Sequence, residues 1–136
     1  MVTDQQRILV IDDEESVCRL LETVLVSSGY AVAAYTRPQQ AVATFAAEHY
    51  DLVITDIKMP VMDGLQVLQH TKENNANTPV ILITGVLTDQ IADQAIRQGA
   101  YAILAKPFKP RDLISTVHDA LRQTGSGQES RPSCQA

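Results

Sequence analysis

Five residues of this 136-residue chain are of types that could do chemistry together: Asp12 and Asp13, Asp56, Thr84 and Lys106. Each site follows an apolar run: ILVI before Asp12, LVIT before Asp56, VILI before Thr84 and AILA before Lys106. Uninterrupted runs of this length read as strands buried on both faces, as in a parallel sheet. All carboxyl ends of a parallel sheet share one edge, where ligands collect in open α/β folds. Singly, each residue also has a plainer reading. Adjacent acids after a strand commonly serve a helix N-terminus, and an Asp at a strand end commonly forms an Asx turn. Thr84 could make a local hydrogen bond, and Lys106 could be a solvated charge. Their joint arrival at one edge is what those readings leave unexplained.

The charge of such a cluster indicates what it would bind. Three carboxylates and one ammonium leave a formal charge of about −2, and like charges about 4 Å apart repel by roughly 4 kcal/mol at an effective dielectric of 20. A divalent cation would compensate them. All-oxygen ligands, few carboxylates and room for water match Mg²⁺, which phosphate commonly completes, whereas Ca²⁺ would require more protein ligands. With the metal, the set suits phosphoryl transfer. Asp56 would be a carboxylate nucleophile forming an aspartyl phosphate. Mg²⁺ and Lys106 would neutralise the transferred oxygens, and Thr84 would donate a hydrogen bond to one of them. Gly85 leaves room for the phosphoryl group.

The elements that must position these groups alternate. Strands are expected at Ile8–Ile11, Tyr30–Tyr35, Leu52–Thr55, Val80–Ile83 and Ala102–Ala105, with a helical pattern after each. That alternation predicts an α/β fold, a doubly wound five-stranded parallel sheet with helices on both faces. In the first helix Val17, Leu20, Leu21, Val24 and Leu25 form one apolar stripe, and Gly29 stops it. Thr36 and Gln39 resemble a capping box for the second helix, whose stripe is Ala41, Val42 and Phe45. The third runs from about Gly64 to Lys72 with Leu65 and Leu68 inward. The fourth runs from about Asp89 to Gln98 with Ile91, Ala92, Ala95 and Ile96 on one side. The fifth starts at Pro110 and buries Leu113, Ile114, Val117, Ala120 and Leu121. From Thr124 the sequence TGSGQESRPSCQA has no apolar period, so residues 124–136 are expected to be a disordered tail or a truncated linker, leaving 6–123 as the domain.

The net charge of −5 argues against direct nucleic-acid binding, which calls for a basic stripe. No run is long and apolar enough to span a bilayer and the N-terminus lacks a signal-peptide core, so no membrane association and a cytoplasmic location are expected. Cys18 and Cys134 cannot build a disulfide framework; Cys18 is expected to pack in a helix and Cys134 to be a bystander. His49, His70 and His118 are read as helical residues without partners at ligand spacing, and Met59 and Met62 as loop packing.

Asp12-Asp13, the DIKMPVMDG segment from Asp56 to Gly64, Thr84-Gly85 and Lys106-Pro107-Phe108 together resemble the response-regulator receiver domain, over about residues 6–123. The resemblance implies a flavodoxin-like sheet ordered 2-1-3-4-5 and phosphorylation of Asp56 by a sensor histidine kinase, a phosphotransfer protein or small phosphodonors. It implies Mg²⁺ ligation by Asp13, Asp56 and the Lys58 backbone carbonyl, Asp12 acting largely through water, and a cis Lys106-Pro107 peptide. It further implies an output surface of helix four, strand five and helix five, an effector domain fused or bound, and a phosphorylation-dependent homodimer. Lys58 and Val86 would flank the path of an attacking water. The family commonly carries an aromatic residue where this chain has Ile103; Tyr101, two residues earlier, shares its strand parity and is the available substitute. Lys109 is a poor N-cap where the family often has Asp. A receiver of this kind would catalyse only its own phosphorylation and dephosphorylation. The alternatives are an aspartyl-phosphate hydrolase of the haloacid dehalogenase type, disfavoured because Lys58 stands where its second acid belongs, and a phosphorylation-independent interaction module.

Overall fold

The computed structural model describes residues 5–125. The strands are β1 (Arg7–Ile11), β2 (Ala31–Tyr35), β3 (Leu52–Asp56), β4 (Val80–Thr84) and β5 (Ala102–Ala105). The helices are α1 (Glu15–Ser27), α2 (Pro38–Ala47), α3 (Gly64–Asn74), α4 (Asp89–Arg97) and α5 (Pro110–Gly125). All strand pairs are parallel, in the order β2-β1-β3-β4-β5. This is the expected doubly wound α/β architecture.

Strand alternation divides the interior into two cores. Ile8, Val10, Leu52, Ile54, Ile81 and Ile83 face α1 and α5, whereas Leu9, Ile11, Val53, Val80 and Leu82 face α2, α3 and α4. The strands therefore read as unbroken apolar runs because both faces are covered. Each fully buried Leu or Ile contributes roughly 1.5–3 kcal/mol, so the central strands are the most strongly fixed part of the sheet. Their register carries the site: Ile11 pairs with Thr55, Asp56 with Ile83 and Thr84 with Ala105.

Several local expectations are corrected. Thr36 does not cap α2; Arg37 is the N-cap residue and makes no side-chain cap bond, with Pro38 opening the helix. A reciprocal capping box forms instead at α3, where Asp63 accepts from the Gln66 amide and Gln66 accepts from the Asp63 amide, each at 2.9 Å. On α1, Cys18 is buried with Leu21 and Leu25, while Leu20 at the margin of the stripe is 47% exposed. Leu20 lines a shallow groove with Val17, Pro107 and Phe108. On α4 only Ala95 is fully buried and Ile96 is 59% exposed, because one nine-residue helix at the sheet's edge covers little of the core. Thr88 caps α4 by accepting from the Ile91 amide. His49 lies past the end of α2 and pairs with Asp51 at 2.9 Å, and His118 Nδ1 lies 3.4 Å from the Tyr30 hydroxyl. α5 continues to Gly125, two residues beyond the expected boundary, and Cys134 with the rest of the predicted tail lies outside the described residues.

The parity expected for Tyr101 does not hold. Side-chain alternation applies within an extended strand, and Tyr101 sits in the bend before β5, its amide donating to the Val80 carbonyl. Its ring packs against the α1/α5 core, whereas Ile103 packs against the opposite one. Tyr101 therefore does not occupy the space beside Ile103.

Candidate functional site

β1 and β3 deliver the acids. Past the end of β1, the Asp12 amide donates to the Tyr35 carbonyl at 3.1 Å, which fixes the residue as an extra rung beyond the strand. Asp12 is fully buried, and its Oδ1 accepts from the Glu14 amide at 2.9 Å, an Asx turn leading into α1. Asp13, next along the chain, is exposed. Asp56 ends β3 at 5% exposure, with Oδ1 accepting from the Ile57 amide at 3.0 Å. Carboxylate oxygens of Asp12, Asp13 and Asp56 lie within 4.8 Å of one another, and among the described residues this is the single cluster of metal-ligating side chains.

The loop after β3 is held close to that cluster. A Cβ on Gly64 would stand 2.8 Å from Ile57 Cα and would collide with the Asp56 carbonyl oxygen, so only glycine lets α3 start here. The Gly64 amide in turn donates to the Ile57 carbonyl at 2.8 Å. At the tip of the loop Val61 has φ of 74° and is 84% exposed, while the Met62 amide donates back to the Pro60 carbonyl at 2.8 Å. A β-branched residue in the left-handed region is strained by of order 1–3 kcal/mol. Met59 is buried and Met62 half-buried beneath the loop, as expected.

β4 and β5 deliver the remaining groups. The Lys106 amide donates to the Thr84 carbonyl at 2.7 Å, and the Lys106-Pro107 peptide is cis. The Lys106 ammonium lies 2.9 Å from Asp12 Oδ2 and 3.5 Å from both Asp56 Oδ2 and Glu14 Oε1. Thr84 is fully buried, and its hydroxyl is engaged by Val86: it donates to the Val86 carbonyl at 3.2 Å, while the Val86 amide donates to it at 3.1 Å. A Cβ on Gly85 would meet nothing within 4 Å, so there is open space beside Thr84.

The electrostatics follow from burial. Desolvation, and then the neighbouring Asp12 charge, push the Asp56 carboxyl up to about 6 against the pull of Lys106. Asp12 is raised mainly by burial, opposed by the Glu14 amide and Lys106. Burial would lower Lys106, but the hydrogen bond and charge of Asp12 outweigh it and the ammonium is held above its ordinary range. Asp12 Oδ2 is the one buried side-chain polar atom among the described residues that lacks a hydrogen bond of good geometry, being held by the ion pair alone. An under-satisfied buried carboxylate oxygen beside two further carboxylates is a donor set that suits a hard divalent cation. Sequence reasoning missed Glu14, the third carboxylate around Lys106, and the strained Val61. Nothing in the run Asp12 to Glu15 distinguishes Glu14 from Glu15, and Val is a residue type that gives no sign of positive φ.

A doubly wound sheet ordered 2-1-3-4-5, with an acidic trio and a lysine converging at its carboxyl edge, defines a small signalling-type α/β domain rather than a barrel or a helical module. The profile described as the response regulator receiver domain matches residues 8–118, and the chain belongs to that family, the receivers of two-component systems. Regulatory protein AtoC of Escherichia coli is 36% identical over 130 residues, covering 96% of this chain and 28% of its own length. The probable transcriptional regulator ycf27 of Cyanophora paradoxa is 36% identical, over 91% of this chain and 52% of its own. The chain thus spans about a quarter to a half of the length of these curated relatives. Among solved structures, a CheY-like receiver domain protein from Methanospirillum hungatei superimposes with a TM-score of 0.88 at 26% identity, covering 92% of this chain and all of the other. The beryllofluoride-activated NtrC4 receiver domain dimer gives 0.82 at 33% identity, over 85% and 96% of the two chains. No helix among the described residues is long and apolar enough to cross a membrane.

Proposed function

We propose that Asp56 is the phosphoacceptor of a phosphorylation-dependent switch, charged by a sensor histidine kinase or a phosphotransfer protein. The observation that carries this reading is the Lys106 ammonium set between Asp12 Oδ2 and Asp56 Oδ2, at 2.9 and 3.5 Å. A cation held there faces the oxygens of any group transferred to Asp56 and stabilises the charge that develops on them. Asp56 Oδ2 attacks phosphorus, the bond to the donor nitrogen or oxygen breaks, and the leaving group carries away the electron pair. Asp13, Asp56 and the Lys58 backbone carbonyl would hold Mg²⁺ in this reading, and Asp12 would act largely through water. An ion held by these residues would supply positive charge against the phosphoryl oxygens and would lower the cost of placing a dianion among carboxylates.

Thr84 donates its hydroxyl to a phosphoryl oxygen. A hydroxyl has one proton to give, and here it goes to the Val86 carbonyl, so that bond must break when Asp56 is modified. The consequence reaches α4, β5 and α5, the surface read by a fused or bound effector or by a second copy of the chain. Tyr101 lies on the other side of the sheet from Ile103, so relay through an aromatic ring at that place is not part of the proposal. The domain acts in the cytoplasm and catalyses only its own phosphorylation and dephosphorylation. Incubation with acetyl phosphate and Mg²⁺ tests the reading: intact-mass measurement should find one alkali-labile phosphoryl group, and chelation with EDTA should prevent it. Equal labelling with and without Mg²⁺ would contradict the proposed ion.

A further inference from the structure

Four consecutive acids enter the site region, and the structure separates their environments. Asp12 is buried against Lys106, and Asp13 completes the carboxylate cluster. Glu15 pairs with Arg19 one turn along its own helix at 3.2 Å, which removes it from the site. Glu14 turns the other way, toward Lys106 at 3.5 Å, with its side chain 63% exposed. Its backbone is fixed by the bond from its amide to Asp12 Oδ1, and its side chain makes no helix-cap bond, so α1 does not depend on the carboxylate.

From this arrangement we infer that Glu14 is a positioning and specificity-determining residue: it competes with the incoming phosphoryl group for Lys106 and discriminates against strongly anionic small phosphodonors. The inference rests on the phosphoacceptor reading of Asp56. The oxygens of a group transferred to Asp56 must take over the ammonium that three carboxylates now share, and Glu14 is the exposed one of the three. Because the Glu14 side chain is largely solvated, its unit of like charge changes the encounter by a small factor, about two- to five-fold, and added salt screens it. Removing the charge should therefore favour a dianionic donor more than a monoanionic one.

The test compares wild type, Glu14→Gln and Glu14→Asp, each with Mg²⁺, using acetyl phosphate as the dianionic donor and phosphoramidate as the less charged one near neutral pH. Glu14→Gln should raise the apparent second-order rate constant for acetyl phosphate about two- to five-fold. The gain should be smaller for phosphoramidate and should shrink in 0.5 M salt, and Glu14→Asp should keep a donor ratio close to wild type. An equal change for both donors, a gain insensitive to salt, or a slower reaction would overturn the inference. Failure of wild type to accept phosphate from either donor would instead sink the phosphoacceptor reading.

Discussion

As the proposed phosphoacceptor, Asp56 combines two demands that oppose one another: it must be buried enough to exclude bulk water, and it must be ionised to attack phosphorus. Burial beside Asp12 lifts its carboxyl to about 6, so it is mostly ionised at neutral pH, at a cost to the fold. The sign is definite. A carboxyl raised in the folded state binds its proton more tightly there than in the unfolded chain, so stability is greatest at low pH. It falls as pH rises from the ordinary value of 3.8 to about 6, and is then flat with respect to this group. Asp56→Asn should therefore be more stable than wild type at pH 7, by about 1–3 kcal/mol, with the gap closing below pH 4. Urea denaturation of both proteins across that range checks this, and a gap independent of pH would contradict it. Val61 offers a second residue-scale check. Glycine carries no Cβ to strain at this positive φ, so Val61→Gly should raise stability by roughly 0.5–1 kcal/mol in urea denaturation, and a loss of stability would contradict the strain.

The elements hold these residues through a few contacts whose value can be measured separately. Gly64→Ala places a methyl group against the Asp56 carbonyl and Ile57 Cα, backbone atoms that cannot swing aside. It should cost about 1–3 kcal/mol and slow phosphorylation of Asp56 as well. Asp63→Ala removes one half of the α3 capping box and should cost about 1 kcal/mol in chemical denaturation while slowing phosphorylation less. If both variants slowed phosphorylation equally, the close approach at Gly64 would have no special role. The same elements mark what the sequence makes legible. Asp12, Asp56, Thr84 and Lys106 are legible because each stands at the carboxyl end of an apolar strand, which places it at one edge before any coordinate is known. Leu20 and Ile96 are not, since an apolar arc on a helix is wider than the sheet it covers. Tyr101 is misplaced because parity counting assumes an extended backbone that begins only at Ala102. Glu14 requires the Asx turn at Asp12, which aims it at Lys106 while Glu15 is drawn to Arg19.

For the whole molecule, the two cores and the central strands form a fixed frame, and three carboxylates are gathered at its carboxyl edge. Cation binding there should stabilise the folded state by mass action, about 1.4 kcal/mol at ten times the dissociation constant. Thermal unfolding with and without Mg²⁺ should show the rise in wild type and little of it in Asp13→Asn. Comparable stabilisation of that variant would place the ion elsewhere. The central claim, that one carboxylate receives the phosphoryl group, is tested most directly by intact-mass measurement of wild type and Asp56→Asn treated side by side with acetyl phosphate and Mg²⁺. The account predicts a single alkali-labile phosphoryl group on wild type and none on Asp56→Asn. The same modification on the Asn variant, or none on wild type, would contradict it.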